Sequence, residues 1–296
     1  MTDQEQAMIT LSSEQIAQFR EQGYIVVRGA VPPATIRRLT GEIDGWIEES
    51  RSHAKNYGET VNGKARFDLE AGHSSANPRL RRVANPADIS QAYRDVLWDG
   101  EIPDLVTQLI GPDVKFHHCK LKMKLPGMGT YVGYHQDHPF DPHTNDDIVV
   151  ALLMLDDTTL ENGCLTVVPG SHRERYSHYR GDKFVGEIAA EHHADFDRRA
   201  VPIIGKAGDL CLQSTWMVHG GGANRTERPR RILICDYTAA DAFWLMPPIV
   251  PSPYSGRIVR GKPMRIARFT TGTKELPQHY ADDSFFGAQG QKTAAQ

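Results

Sequence analysis

Eight short apolar runs, separated by Gly, Pro, Asn and Asp, fill the second half of this chain and constrain its fold more than any other feature. Runs of this length between turn residues are typical of β-strands. So many strands in series favour a sandwich or barrel, and a double-sheet jelly roll is a common way to close them. We therefore predict a mainly β fold with flanking helices. The predicted strands span residues 114–125, 131–135, 148–155, 164–168, 200–204, 209–213, 216–219 and 231–237.

The first hundred residues show mostly helical patterns. Ser12 can cap a helix that ends at Gly23, and Pro32 and Pro33 precede a run whose apolar residues recur every three to four positions. We expect these helices to pack on the outer face of the jelly roll. The other elements predicted here are a short strand at 24–28 and helices at 89–98 and 102–110.

Residues 51–86 show no regular period and are too many for an ordinary connection. We interpret this stretch as a functional flap or a substrate-facing excursion. The whole chain, 1–296, is predicted to form a single catalytic domain. Its parts are a mostly helical N-terminal part at about 11–112, a jelly-roll core at about 113–240 and a C-terminal extension at 241–296 that ends in a frayed tail.

Charge and composition limit the class of partner. A net charge of −3 over 296 residues argues against nucleic acid or an anionic membrane as the main partner, because both require a concentrated basic field. Arg79, Arg81 and Arg82 form one dense basic patch, which we interpret as a solvated or substrate-gating face. No run approaches the ~18 apolar residues that span a bilayer, and residues 1–6 lack the pattern of a signal peptide.

Four cysteines are spread along the chain without Cys-x-x-Cys spacing, and each lies in or beside an apolar run. This pattern predicts buried free thiols in a reducing compartment. We therefore expect a cytoplasmic protein with a small-molecule substrate and with no nucleic-acid or membrane partner. The sequence leaves the oligomeric state open.

Two histidines and one aspartate carry the clearest chemical signal. His135 and Asp137 are two residues apart at a predicted strand, so their side chains would share one face. With His219, at the end of another apolar run, they make a two-His, one-carboxylate set, the ligand type of non-haem Fe(II) oxygenases. The same spacing occurs at His193 and Asp195, but that polar run has no strand periodicity and is interpreted as a solvated loop.

Neither the pair of His135 and Asp137 nor His219 is by itself a specific sign of a metal site. His135 and Asp137 could be a hydrogen-bonded loop couple, and His219 alone could be structural. The neighbouring backbone favours a binding site. A loop at 139–145 follows the pair, and residues 220–222 are glycines, which let a bound molecule approach the backbone.

Arg230 and Arg231 open the strand that follows His219, and a guanidinium entering a core strand needs an anionic partner. A 2-oxoacid that chelates iron would point its far carboxylate deeper into the fold, where such an arginine could bind it. The alternative is an ion pair with Asp236 or Glu227. Only one of two adjacent arginines can face inward, and periodicity does not choose because the next three residues are all apolar.

Several motifs carry a family resemblance through their order and separation. They are His-Gln-Asp at 135–137, Glu-Asn-Gly-Cys-Leu-Thr-Val-Val-Pro-Gly-Ser-His at 161–172, Ala-Gly-Asp-Leu at 207–210, and His219 followed by Asn224 and Arg230. Over about 114–237 the chain resembles the phytanoyl-CoA dioxygenase family of Fe(II)- and 2-oxoglutarate-dependent oxygenases. The resemblance implies a double-stranded β-helix, the cupin-like form of the jelly roll. It also implies that His135, Asp137 and His219 hold iron and that Arg230 binds the C5-carboxylate of 2-oxoglutarate.

Two further positions follow from the resemblance. Family members often place a polar residue that contacts 2-oxoglutarate on the strand at 120–124, and Lys122 is the candidate. Since Lys120, Lys122 and Lys124 alternate on one face, a solvent-facing row is the alternative. Where family members often have Ser or Thr two residues after the distal histidine, this chain has Gly221, which lacks the expected hydroxyl contact.

The resemblance implies an oxygenase that uses dioxygen and 2-oxoglutarate to oxidise a C–H bond of a small metabolite, releasing succinate and CO2. Hydroxylation is predicted, because related halogenating enzymes have Ala or Gly where this chain has Asp137. Desaturation, epoxidation or ring formation at the same site is one alternative. A metal-binding jelly roll without turnover is the other.

Overall fold

Two antiparallel sheets dominate the described chain, which in this computed structural model comprises residues 9–126, 131–273 and 276. The frayed tail expected at 287–296 lies outside the described residues. The strands, β1 to β15 in chain order, are Tyr24–Val27, Tyr57–Glu59, Ala65–Leu69, Leu80–Ala84, Val114–Lys124, Val132–His135, Ile148–Met154, Leu165–Val167, Tyr179–Arg180, Lys183–Phe184, Val201–Ile203, Leu210–Ser214, His219–Gly221, Arg230–Ala239 and Ile258–Arg260. The α-helices, α1 to α6, are Ser13–Gln22, Pro33–Ser50, Pro86–Ile89, Gln91–Arg94, Glu101–Ile110 and His193–Arg199, and a π-helical segment at Asp95–Asp99 joins α4 to α5.

The larger sheet follows the order β1-β12-β7-β14-β5-β4-β3-β2, with β15 also paired to β5, and the smaller sheet follows the order β11-β8-β13-β6. Apolar side chains from β7, β12 and β14 meet side chains from β8 and β11 in a core between the sheets. Two packed antiparallel sheets of this kind confirm the predicted jelly roll.

Alternate residues of the central strands face two different cores. On β14, Ile232 and Ile234 face the smaller sheet. Leu233 and Cys235 face the opposite way and pack in a larger outer core with helix residues such as Leu39 of α2. The helices therefore cover the outer face, as predicted. Burial on both faces explains why the central strands have continuous apolar runs in the sequence.

Helix α1 has the predicted boundaries. The Ser12 side chain accepts a hydrogen bond from the Gln15 backbone N–H, and the Gln15 side chain accepts one from the Ser12 backbone N–H. This reciprocal pair is a capping box. Gly23 ends the helix with φ of 82°, a left-handed conformation that glycine adopts without strain.

The prediction of an irregular flap at 51–86 is wrong where strands β2, β3 and β4 form. Strands β2, β3 and β4 extend the larger sheet beyond β5, and β1 pairs with β12, so the N-terminal part contributes four strands to that sheet besides its helices. The sequence did not reveal these strands because buried ion pairs replace their usual alternation of apolar and polar residues. Arg82 lies 2.7 Å from Asp68, and these side chains are only 11% and 5% exposed. A strand that buries charged residues in pairs lacks the usual apolar and polar alternation, and the Arg79–Arg82 patch is accordingly not a solvated face at Arg82.

All four cysteines, Cys119, Cys164, Cys211 and Cys235, are buried free thiols, as predicted. Among the described residues, no helix has both the length and the apolar character needed to cross a membrane. The C-terminal extension contributes β15, which pairs with β5 on the larger sheet.

Candidate metal centre

His135 is the last residue of β6, whereas Asp137 lies beyond the strand, in a turn that leads into a short 3-10 helix at His138–Phe140. The prediction that both side chains extend from one strand is therefore wrong. The turn itself brings the carboxylate to the imidazole. The backbone N–H groups of Asp137 and His138 both donate to the Thr215 carbonyl at 3.0 Å, which ties the turn to the segment that precedes His219.

Gln136 anchors this turn, a role that the sequence analysis did not assign. Its fully buried side chain donates to the carbonyls of Glu174 and Trp216 at 2.8 and 2.7 Å, and accepts from the Tyr176 N–H at 3.1 Å. The sequence signal was its place inside the His-Gln-Asp motif. These bonds connect the turn to two distant segments and restrict movement of the residues on either side of Gln136.

His219 begins β13, whereas the sequence predicted a strand that ends there. Residues 216–218 form a turn in which the Met217 N–H donates to the Ser214 carbonyl at 2.9 Å. Strand β13 lies between β6 and β8, so His219 is directly opposite His135 in one ladder and Val167 in the other. The two imidazole ring centres are 4.1 Å apart. Cross-strand pairing thus joins two residues that are distant in the chain.

The three candidate ligands converge. Nε2 of His135 and Nε2 of His219 each lie 3.6 Å from a different carboxylate oxygen of Asp137. Nδ1 of each ring lies 2.9 Å from a backbone carbonyl, that of Gly133 for His135 and that of Met217 for His219. A neutral imidazole that donates through Nδ1 presents Nε2 to a metal, and such outer contacts fix the orientation of ligand rings. This donor set can hold a metal ion.

Burial and mutual charge set the protonation states of this group. Burial, reinforced by His219, lowers the pKa of His135 to about 3. Burial alone would raise the pKa of Asp137, but the neighbouring His219 and His135 outweigh it and hold that pKa below its usual range. A neutral imidazole and an ionised carboxylate are the forms that bind a metal cation.

The other His-x-Asp pair is a structural element. His193 begins α6, so the predicted solvated loop is a short helix with Phe196 buried. Nε2 of His193 lies 3.1 Å from the Ile188 carbonyl, and Asp195 pairs with Arg199 at 2.8 Å. The two side chains therefore have partners of their own, and this pair does not join the three convergent ligands.

A second buried group, His117, His118 and Asp141, also brings potential ligand atoms within 4.8 Å of one another. The sequence analysis did not identify it, although adjacent histidines in a predicted strand were a signal. The His117 ring and the Asp141 carboxylate are in direct hydrogen-bond contact. This group is a hydrogen-bonded pair with a neighbouring histidine, and its two histidines lie on the same strand, β5, as the lysines described next.

A cavity extends from His135, Asp137 and His219 between the two sheets. Alternation places three lysines on the inner face of β5, where they line the cavity, so the alternative of a solvent-facing row is wrong. Arg81 and Glu70, from the stretch predicted as a flap, also line the cavity and lie 3.7 Å apart. The cationic lining residues are Lys120, Lys122, Lys124, Arg230 and Arg81, and the apolar ones include Val150, Leu152, Ile232 and Ile234.

Arg230 faces the cavity, and Arg231 does not. The buried Arg230 guanidinium donates one bond to a backbone carbonyl at 2.9 Å, and its Nε has no partner among the described residues. Burial lowers the pKa of Arg230 to about 10, so it stays cationic at neutral pH. Arg231 binds both oxygens of Asp156, at 2.7 and 2.9 Å. Neither arginine forms the alternative ion pair with Asp236 or Glu227.

Gly221 leaves room for Lys124 at the position where family members often have a hydroxyl. A Cβ atom on Gly221 would lie 3.2 Å from Lys124 Nζ and 2.9 Å from the Cys164 carbonyl. Lys124 Nζ donates to the carbonyls of Gly221 and Gly163 at 3.0 and 3.2 Å. The cavity therefore keeps a hydrogen-bond donor beside this glycine, supplied by an ammonium group.

Lys122 is expected to take up a proton when 2-oxoglutarate binds. Burial, followed by the positive charge of Lys120, lowers the pKa of Lys122 to about 7. A bound carboxylate would raise that pKa, so affinity should fall as pH rises above neutrality. Calorimetry in two buffers of different ionisation enthalpy measures the uptake, and Lys122→Met should remove it. Equal heats in both buffers near neutral pH would contradict this expectation.

With this geometry established, similarity to known proteins identifies the family. The chain matches the family model described as Phytanoyl-CoA dioxygenase (PhyH) over residues 19–232. The chain belongs to the phytanoyl-CoA dioxygenase family. This dioxygenase is 28% identical over 240 residues to the probable alpha-ketoglutarate-dependent hypophosphite dioxygenase of Stutzerimonas stutzeri, a match that covers 79% of this chain and 81% of that protein.

Two further relatives of the dioxygenase have different names. It is 25% identical over 248 residues to the peroxisomal phytanoyl-CoA dioxygenase of Homo sapiens, covering 79% of this chain and 70% of that protein. It is 28% identical over 233 residues to the methylphosphonate hydroxylase of Gimesia maris, covering 78% of this chain and 82% of that protein. The crystal structure of EctD from S. alaskensis with 2-oxoglutarate and 5-hydroxyectoine has the same fold, with a TM-score of 0.67, 20% identity and 90% of each chain covered.

Family membership and the convergent His-Asp-His donor set confirm the predicted enzyme class. The protein is a dioxygenase, and its cofactors are iron, 2-oxoglutarate and dioxygen. The relatives differ in the substrates that their names state, so the family does not identify the substrate of this enzyme.

Proposed function

We propose that this dioxygenase hydroxylates a small-molecule metabolite, with iron held by His135, Asp137 and His219 and with the C5-carboxylate of 2-oxoglutarate held by Arg230. One observation supports this assignment above all. The His-Asp-His group and the buried guanidinium line a single cavity between the sheets. A molecule with one chelating end and one distal carboxylate matches a cavity with a metal site and a separate buried cation.

The three side chains fit a bound iron ion. Two nitrogen donors and one carboxylate leave positions for further ligands, and backbone carbonyls already orient both imidazoles. When bound, iron supplies the redox chemistry with dioxygen. The protein supplies the geometry: His135, Asp137 and His219 hold the ion, and Gln136 keeps the intervening turn in place.

Arg230 and Lys122 would bind 2-oxoglutarate. A carboxylate would pair with the buried charge of Arg230 and satisfy its Nε, and a guanidinium can bind both carboxylate oxygens at once. Lys122 lines the same cavity and lies opposite Ile232, two residues after Arg230 on β14. The apolar side chain of Ile232, opposite Lys122, keeps water from this ion pair and thereby strengthens it.

The overall reaction that we propose converts substrate, 2-oxoglutarate and dioxygen into hydroxylated substrate, succinate and CO2, with one oxygen atom entering each of the first two products. The carboxylate at Asp137 favours hydroxylation over halogenation. Desaturation, epoxidation and ring formation would use the same residues and are the alternatives. Hypophosphite and methylphosphonate appear in the names of two relatives and support a small substrate over a CoA thioester.

We further propose that residues 1–296 form one catalytic domain, because β1 to β4 from the N-terminal part belong to the larger sheet. The buried free thiols support a cytoplasmic location. The formal net charge of −3 is the reason to propose that neither nucleic acid nor membrane is a partner.

The test is substrate-stimulated succinate release by protein loaded with Fe(II), followed by mass spectrometry of the product under oxygen-18. One labelled oxygen in the product supports hydroxylation. A product that has lost hydrogen and carries no label supports desaturation or ring formation. Protein that binds Fe(II) but gives no visible charge-transfer band with 2-oxoglutarate in the absence of air would contradict the proposed cosubstrate site.

A further inference from the structure

The cavity contains more positive charge than 2-oxoglutarate requires, and the inference drawn from this excess rests on the proposed function. Of the two acidic residues that line the cavity, Glu70 lies beside Arg81, and Asp137 lies between two imidazoles. 2-Oxoglutarate brings two negative charges, one of them at the iron. The other basic residues that line the cavity are Lys120, Lys122, Lys124 and Arg230.

Lys120 and Lys124 lie at opposite ends of this row. Four residues along a strand correspond to about 13 Å. Lys124 is in register with Arg230, donates to backbone carbonyls and marks the end where the distal carboxylate of 2-oxoglutarate would bind. Lys120 lies at the other end, two residues after His118, whose ring is 3.9 Å from Asp141 in the segment that follows Asp137, and Lys120 and Asp137 both line the cavity. The charge of Lys120 is therefore next to the metal site and away from Arg230.

The Lys120 side chain forms no hydrogen bond or ion pair with any other residue that the structure describes. The next acid on the same face of β14, Asp236, lies 3.3 Å from Nε2 of His118. The charge of Lys120 favours the ionised forms of Asp137 and Asp236, but these two carboxylates face His135 and His118. A partly buried ammonium group that lacks a direct anionic partner is costly. The ligand that best satisfies Lys120 is an anion bound beside the iron.

The neighbours of Lys120 define the rest of that ligand. Ile234 lies directly opposite Lys120 across β5 and β14, and Leu152 lies directly opposite Ile234 across β14 and β7. All three side chains line the cavity. One ammonium group followed by two apolar side chains complements a short alkyl group that carries an anionic head.

We infer that the substrate is a small oxyanion with a short alkyl chain, a phosphonate or a carboxylate, and that Lys120 binds its anionic head beside the iron. Ile234 and Leu152 contact the alkyl part. Lys120 is then a residue that determines substrate specificity, distinct from Arg230, which binds the cosubstrate.

The test compares matched compounds as stimulators of succinate release by the iron-loaded enzyme: ethylphosphonate, propionate, the neutral analogue propanol and the cationic analogue propylamine. We expect an oxyanion to stimulate release and the neutral and cationic analogues to fail. Comparison of ethylphosphonate with propionate shows whether the enzyme binds a phosphonate or a carboxylate head group. Lys120→Met should raise the KM for the active oxyanion by about 10-fold or more, and Lys120→Arg should restore part of the affinity.

Anaerobic titration with 2-oxoglutarate separates this inference from the proposed function. Lys120→Met should keep the charge-transfer band and should not weaken the binding of 2-oxoglutarate, because loss of the Lys120 charge favours the protonated form of Lys122. Lys206→Met, a surface control whose lysine pairs with Asp157 at 2.8 Å, should leave both unchanged. An equal loss of 2-oxoglutarate affinity in Lys120→Met would assign Lys120 to the cosubstrate and overturn the inference. So would stimulation by the neutral or cationic compound alone, or by none of the four. Loss of the band in the unmutated protein would instead refute the proposed function.

Discussion

Replacing His135 or His219 with alanine is expected to abolish iron binding and 2-oxoglutarate turnover. Each change removes one of the two nitrogen atoms that lie 3.6 Å from Asp137, and only two donors remain. Loss of even an outer contact to a ligand typically costs about 10- to 100-fold, so loss of a ligand itself should cost at least about 100-fold in turnover. Metal analysis of protein reconstituted without air, followed by a succinate assay, measures both effects.

His193→Ala is the matched control, because His193 belongs to the second His-x-Asp pair but lies in α6 with its Nε2 near the Ile188 carbonyl. This variant should bind iron and release succinate like the unmutated enzyme. A loss of iron as large as that in the His135 variant would overturn the assignment. Retention of iron by the His135 and His219 variants would indicate that iron binds at His117, His118 and Asp141 instead.

Arg230→Ala is expected to raise the KM for 2-oxoglutarate far more than Arg231→Ala does. Only Arg230 lines the cavity, and a lost charge-assisted contact is worth about 1.5–3 kcal/mol, or roughly 10- to 150-fold in affinity. Arg231→Ala should instead lower the thermal unfolding temperature, because it leaves Asp156 without its two-point ion pair. Initial rates at saturating iron, and thermal melts of both variants, measure the two effects.

Arg230→Lys distinguishes charge from geometry at this position. A lysine keeps the positive charge but cannot bind both oxygens of a carboxylate, so this variant should fall between the unmutated enzyme and Arg230→Ala. The opposite ranking of the two alanine variants would mean that the register of β14 differs by one residue and that Arg231 binds the cosubstrate.

Local sequence patterns were sufficient for the strands of the core and for the donor set. The apolar runs of β5 to β8, β11, β12 and β14 end at turn residues, so the positions of these strands are visible without knowledge of their partners. Strand β13 is the exception, because it begins at His219, where the predicted strand ends. The resemblance and the donor chemistry identified His135, Asp137 and His219, and the structure brings these three together. The sequence also identified the α1 cap, because a capping box uses contacts between residues three positions apart.

Tertiary structure decided what depends on distant neighbours. The inward direction of Arg230 follows from sheet register, since β14 is buried on both faces and its apolar run has no alternation. The same register places three lysines of β5 in the wall of the cavity, although their alternation in the sequence is also typical of a solvent-facing row. Strands β2 to β4 were missed because ion pairs let charged residues lie in buried positions. The sequence by itself determined the residue types and local elements, whereas side-chain direction and charge pairing required the fold, because both are set by residues far apart in the chain.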